Sequence, residues 1–161
     1  LNLGNLCQQL GNSNRAEKSY LTAIRVEPYL AGPRSALATF LENQGGNPLE
    51  IQRYREQELD LLERDVRLMP ENGLARHRFG LTLYLLGKMD QAEQQFVAAC
   101  RLEPDAYDYR LFLTLLYEKR AKWSQALQSA KQLTVLRPAD PETLQIYNNI
   151  QRAAALERKV D

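Results

Sequence analysis

The chain has 161 residues, 44% of them hydrophobic and 25% charged, a composition that suits a folded domain with a substantial core. A net charge of +1 offers no excess for neutralising phosphates, so a nucleic-acid partner is not expected. No apolar run is long enough to span a bilayer, no signal peptide opens the chain, and Cys7 and Cys100 form neither a CxxC pair nor a disulfide framework.

Leu1 is not an initiator methionine and the first residues already read as helix interior. The chain is therefore expected to be part of a longer protein, with the compartment open between cytoplasm, which is preferred, and periplasm. Cys7 and Cys100 are expected to be separate buried thiols. Gly11 suits the left-handed position after a helix, and Asn14 with Glu17 has capping-box spacing for the helix that follows. Asn47, Pro48 and Glu50 form a second start, predicting a helix from Pro48 to about Leu68. Its charged run from Glu50 to Arg67 reads as a solvated face with helix-spaced opposite charges. The carboxylates of Glu58 and Asp60 face different directions on that helix and are expected to be solvated as well. Gly87 marks another left-handed turn, Asp90 with Glu93 another capping box, and Asp140-Pro141 opens a last helix ending near Glu157.

Prolines 28, 70, 104 and 138 each close an apolar-rich helical stretch, AIRVEP, DVRLMP, ACRLEP and TVLRP. The last two gaps, 104 − 70 and 138 − 104, are both 34, and the first, 70 − 28, is 42. Small residues Gly4, Ala38, Gly80 and Thr114 keep the same register, followed seven positions later by Gly11, Gly45, Gly87 and Ala121. Ala16, Ala92 and Ala126 come twelve after Gly4, Gly80 and Thr114, and Tyr20, Phe96 and Ala130 come sixteen after them. Alternating small and bulky residues at fixed offsets are what closely packed antiparallel helices need.

NLGNLCQQLGNSNRAEKSYLTAIRVEP and RFGLTLYLLGKMDQAEQQFVAACRLEP resemble tetratricopeptide repeats, the 34-residue helix-turn-helix unit. The resemblance covers essentially the whole chain as a single domain over 1–161. It comprises a truncated repeat at 1–30, an expanded one at 31–71, full repeats at 72–105 and 106–139, and a terminal capping helix at 140–160. It implies an all-α, right-handed α-solenoid with a concave groove that binds peptide segments of other proteins.

Two departures stand out. The expanded repeat carries eight extra residues (42 − 34), about two helical turns or ~12 Å at 1.5 Å per residue, so its second helix is expected to project beyond its neighbours. Ile51 and Tyr54 on the extra turns either cap the domain's own core or meet a partner or neighbouring domain. Glu58 and Asp65 stand where the first repeat has Ala16 and Ala23, so local packing must differ. Arg34, Arg76 and Arg110 occupy positions where the family often has large apolar side chains. Their stems are expected to pack along the repeat junctions while their heads reach carboxylates such as Glu27 and Glu103.

Nothing in the sequence points to catalysis, a cofactor or a metal. There is one histidine, His77, and no HExxH, phosphate loop, nucleophile elbow or metal-spaced cluster. In the family's geometry the first helix of each repeat lines the groove. That assigns Asn5, Thr39, His77, Arg78, Leu81, Tyr84, Leu85, Leu111, Leu115 and Glu118 to the groove, with Asn149 and Arg152 from the terminal helix. Leu37, Leu41, Phe79, Leu83, Leu86, Leu113 and Tyr117 fall on the core side. The groove is then polar at its N-terminal end and apolar in the middle, where four exposed leucines call for a cover. Members that bind chaperone tails use a carboxylate clamp; its positions fall here on Leu1, Asn5, Ala36, Leu74 and Arg78, of which only Asn5 and Arg78 match.

The expected function is a protein-interaction scaffold that takes an apolar or amphipathic peptide segment in its groove. The alternative is a structural or regulatory arm of a larger enzyme or assembly, packed on its own neighbouring domain. Self-association through the projecting helix is a third reading.

Overall fold

A computed structural model describes residues 13–157. Gly4, Asn5, Cys7 and Gly11 lie outside the described residues. Among the described residues eight helices follow one another: α1 Ser13–Val26, α2 Pro33–Asn43, α3 Pro48–Leu68, α4 Gly73–Leu85, α5 Met89–Leu102, α6 Tyr107–Lys119, α7 Trp123–Leu136 and α8 Pro141–Glu157. They sort into two compact units, one reaching to Pro70 and including Leu85–Gly87, the other formed by Glu71–Tyr84 and the chain from Lys88 onward. In the first unit α2 packs on α1 and α3; in the second, α6 lies against α5 and α7, and α7 against α8.

Three helix ends close in the same way. Gly46 N–H donates to Leu41 O at 2.8 Å, Lys88 N–H to Leu83 O at 2.9 Å, and Lys122 N–H to Tyr117 O at 2.9 Å. These are the six-to-one bonds of the Schellman motif, which satisfies carbonyls the helix leaves over. The residue before each donor is left-handed, with φ of 70° at Gly45, 74° at Gly87 and 52° at Ala121. Ala121 adopts with a Cβ what the other two adopt without one.

Helix starts are less uniform. Asn47 caps α3 by accepting Leu49 N–H at 2.9 Å, with Pro48 in the first turn, as the sequence predicts. Asp140 caps α8: its Oδ2 accepts Thr143 N–H at 2.9 Å and Thr143 Oγ1–H at 2.6 Å, and these bonds hold its carboxyl below the usual range. The capping box expected at Asp90 and Glu93 does not form. Helix α5 begins at Met89 with Lys88 at its cap position and no side-chain cap bond. Asp90 and Glu93 instead pair forward, Arg120 Nη2 lying 2.6 Å from Asp90 Oδ1, and Arg120 Nη1 and Lys122 Nζ each 2.7 Å from Glu93 Oε2. Asn14 lies inside α1, behind Ser13, and so is not its cap residue either.

The close seams lie at the small-residue register. A Cβ at Gly80 would sit 2.8 Å from Cδ1 of Phe96, whose ring is fully buried. One repeat later the bulk is exchanged: Ala130 replaces Phe96, and Thr114, fully buried, replaces Gly80 and bonds to Ser129 Oγ at 2.7 Å. Ala16, Ala92 and Ala126, the other small register, are all 0% exposed.

At the equivalent position of the expanded repeat stands Glu58, and it is not solvated. Its side chain is 1% exposed and its Oε1 accepts the Gly32 N–H at 2.5 Å, while Asp60 is exposed as expected. Helix α3 has 21 residues against 14 in each of α1, α5 and α7. Its extra turns pack rather than project free. Ile51 is buried, Tyr54 packs against the cluster of Ala16, Tyr20, Leu37 and Phe40, and Arg55 pairs with Glu42 on α2 at 2.6 Å. Of the two roles open to Ile51 and Tyr54, these contacts favour the core, because the branched chain and the ring each have neighbours within the chain to cover them.

The turns provide a direct stability test. Gly45 and Gly87 have nothing within 4 Å of a would-be Cβ, so alanine there changes only the backbone. Gly45→Ala and Gly87→Ala are expected to lower the unfolding free energy by about 1 kcal/mol each, and Ala121→Gly to raise it by about 0.5–1 kcal/mol, in urea titrations. Equal and opposite placement at one register makes a same-sign result incompatible with the motif. At the seam, Gly80→Ala is expected to cost about 1–3 kcal/mol through overpacking against Phe96. Thr114→Ala, where Ala130 leaves room, should cost only about one hydrogen bond, roughly 0.5–1.5 kcal/mol.

Candidate peptide-binding face

Helices α4 and α6 carry most of the residues assigned to the groove. The structure distributes these residues unevenly. Leu81, Tyr84, Leu85, Leu111, Leu115 and Glu118 are half-buried, Thr39, Arg78, Asn149 and Arg152 are exposed, and Asn5 lies outside the described residues. The four leucines are thus less bare than the sequence suggests. The strongly exposed apolar side chains lie elsewhere, including Val26, Tyr29, Leu49, Leu68 and Val135.

One juxtaposition joins the two helices on this face. Lys119 Nζ, at the end of α6, lies 4.6 Å from the centroid of the Tyr84 ring near the end of α4. A cation over a ring face is attracted by the ring quadrupole, and Leu81 and Leu115 stand about one turn back along the two helices.

His77 departs from the expectation. It is 8% exposed and stacks on Tyr109 at 4.5 Å, with Phe112 at 5.3 Å and Phe96 at 5.6 Å. Burial lowers its pKa, partly opposed by the charge of Asp108 and reinforced by Arg78, so the neutral ring is favoured. His77 Nδ1 is buried without a hydrogen-bond partner among the described residues. The ring works as an aromatic spacer between α4 and α6. The sequence signal for it was the aromatic pair Tyr109 and Phe112 at the start of α6, which the groove offsets assigned no role.

Leu85 and Ile51, assigned to separate surfaces, line one cleft of about 390 Å³ in the first unit together with Glu42 and Arg55. The Arg55–Glu42 pair closes its polar side.

The arginine series also differs from expectation. Arg34 Nε donates to Gln57 Oε1 at 3.4 Å and Arg76 Nη1 to Gln95 Oε1 at 3.2 Å, so glutamine amides are among their partners. Glu103 instead takes the hydroxyl of Tyr109, whose pKa is raised by burial first and by Glu103 second. The reason is reach: Glu103 lies in the turn immediately before α6, within a few residues of Tyr109. Among the described residues no group of three or more His, Cys, Asp or Glu could hold a metal ion, and no helix is long and apolar enough to cross a membrane. Cys100 is a buried free thiol, as expected.

Comparison with known proteins points one way. A family model for the tetratricopeptide repeat matches residues 1–29 and 75–106. None of the curated proteins matches the sequence. Among solved structures, the chain is similar to TTC0263, a thermophilic TPR protein of Thermus thermophilus, with a TM-score of 0.73 at 26% identity over 92% of this chain and 78% of that one. The MamA protein gives 0.65 at 14% identity over 98% and 82%. The first TPR of Spaghetti (RPAP3), solved bound to the HSP90 peptide SRMEEVD, gives 0.60 at 16% identity over 76% and 90%. A 34-residue register, a shared left-handed turn and seams of matched small and large residues agree with these likenesses: two stretches of the chain match the tetratricopeptide-repeat model, and its fold is that of tetratricopeptide-repeat structures.

Proposed function

We propose that this chain is a protein-interaction scaffold that binds an apolar or amphipathic peptide segment across the α4–α6 face. The observation that carries the reading is the half-buried set Leu81, Tyr84, Leu111 and Leu115, with Tyr84 held by Lys119. Half-burial leaves each leucine anchored on one side and available on the other, which suits shallow pockets for alternate side chains of a docked segment. Tetratricopeptide proteins serve generally as scaffolds, and one relative of this fold is bound to a peptide. That peptide is acidic, whereas only Asn5 and Arg78 match the carboxylate-clamp positions here, so an acidic tail is not the proposed ligand. His77 takes no part, and Leu85 belongs to the cleft it shares with Ile51 in the first unit.

Peptides selected by display against the wild-type chain are expected to be rich in large apolar residues. Leu81→Glu with Leu115→Glu should weaken their binding by at least about ten-fold, since one buried leucine is worth roughly 1.5–3 kcal/mol and 1.4 kcal/mol is ten-fold. The circular dichroism spectrum should stay helical. Lys119→Glu, on an exposed side chain, provides a second variant and should weaken binding without loss of fold. Unchanged affinity in both variants would remove the α4–α6 face from the binding site.

A further inference from the structure

A second cleft lies in the unit formed by α5, α6 and α7 and shares no residue with the peptide face. It has a volume of about 280 Å³ and is lined by Arg101, Arg110, Tyr117, Gln125, Gln128 and Gln132 over an apolar floor that includes Leu113 and Cys100. None of its lining residues is acidic. Its chemistry is that of a donor set with two positive charges and no counter-ion.

Arg110 shows why this is unusual. Its two repeat-mates each hold a glutamine amide, Arg34 through Nε to Gln57 (its Nη1 stays unpartnered) and Arg76 through Nη1 to Gln95. The residue equivalent to Gln95 beside Arg110 is Ser129 (95 + 34), whose short side chain is already engaged. Thr114 Oγ1 lies 2.8 Å from Arg110 O and 2.7 Å from Ser129 Oγ. One hydroxyl proton cannot serve both contacts, and a carbonyl only accepts, so Thr114 donates to Arg110 O and Ser129 donates to Thr114. The Arg110 head is left without the amide it would otherwise hold. Its Nε is buried with no hydrogen-bond partner, and Arg110 makes no ion pair or side-chain hydrogen bond among the described residues.

A guanidinium in that position is costly. Withdrawing a cation from water without a compensating anion is unfavourable, and an aqueous cleft only partly replaces the lost hydration. Nearby acids are committed elsewhere, Glu93 to Arg120 and Lys122, and Glu103 to Tyr109. The planar guanidinium fork matches a carboxylate in two-point geometry, and three glutamine amides and a tyrosine hydroxyl add neutral donors around it. The volume is close to the lower end for ligand pockets, large enough for one short acidic chain and too small for a folded segment.

We propose that the α5–α6–α7 cleft is a binding site for a carboxylate on a short aliphatic chain, received by Arg110 and ringed by Arg101 and the glutamine amides. The same chemistry is carried by a free dicarboxylate and by a glutamate side chain of a protein partner.

Isotope-labelled full chain titrated with glutarate, with the capped peptide acetyl-Glu-Glu-amide and with inorganic phosphate at matched ionic strength tests this. Saturable amide shifts confined to the neighbourhood of Cys100, Gln128 and Gln132 are expected with glutarate, with the peptide, or with both. Which of the two binds more tightly identifies the source. Arg110→Gln should weaken that binding at least ten-fold. Gln132→Glu, at an exposed position on the cleft wall, should tether a carboxylate there, raise the thermal midpoint and abolish the glutarate shifts. The proposal is overturned by no saturable shift with either carboxylate, by phosphate binding as tightly as both, or by a Gln132→Glu variant that binds glutarate unchanged. Because Gln132→Glu leaves Arg110 in place, it remains informative if Arg110→Gln fails to fold.

Discussion

Helices in this chain approach one another at points where one of them has almost no side chain. Gly80 under the Phe96 ring is such a point, closer than any alanine allows without movement of the ring. The spacing of the seam follows from it, and so does the angle at which the next helix leaves, because the turn seven residues on is fixed by a left-handed residue and a six-to-one hydrogen bond. Thr114 opposite Ala130 solves the same geometric problem with the volumes reversed. The volume shared across the seam is constrained, and the identity of either residue much less so.

Where the register is broken, polar groups enter the interior and must find partners there. Glu58 replaces an alanine that is fully buried in the other repeats, and its carboxylate reaches the backbone of Gly32. Gly32 has φ 119°, a conformation that a side chain would resist, so the acid and the glycine form one local device at the start of α2. Asp90 and Glu93 have the spacing of a capping box yet bind Arg120 and Lys122, cations from the next repeat. Two positive charges in reach outweigh a local cap worth about 1 kcal/mol, and the pairing links consecutive repeats within the unit.

The arginine series shows the same rule from the opposite side. Arg34 and Arg76 each hold a glutamine amide, and where Arg76 has Gln95 nineteen residues on, Arg110 has the shorter Ser129. A repeat protein can acquire a cleft in this way with no change in backbone, because each repeat repeats the geometry but not the side chains.

The 34-residue period, the glycine turns, the long helix from Pro48 to Leu68 and the caps at Asn47 and Asp140 were all legible in the sequence. Each depends on residues within one or two turns of each other, or on a period that local backbone geometry enforces. The buried thiol of Cys100 and the core positions Leu37, Leu83, Leu113 and Tyr117 follow from the same periodicity. What the sequence could not decide was which long polar side chain meets which. His77 was placed on an open face by its offset, and the rings of Phe96, Tyr109 and Phe112 enclose it. Glu58 sits on a turn that helical spacing alone leaves solvated, and Gly32 in the loop before α2 meets it in the interior. Helical periodicity fixes the direction in which a side chain leaves its own helix. Only tertiary packing fixes what stands at the other end, and for a charged or aromatic group that distant neighbour decides whether it is surface, core or site.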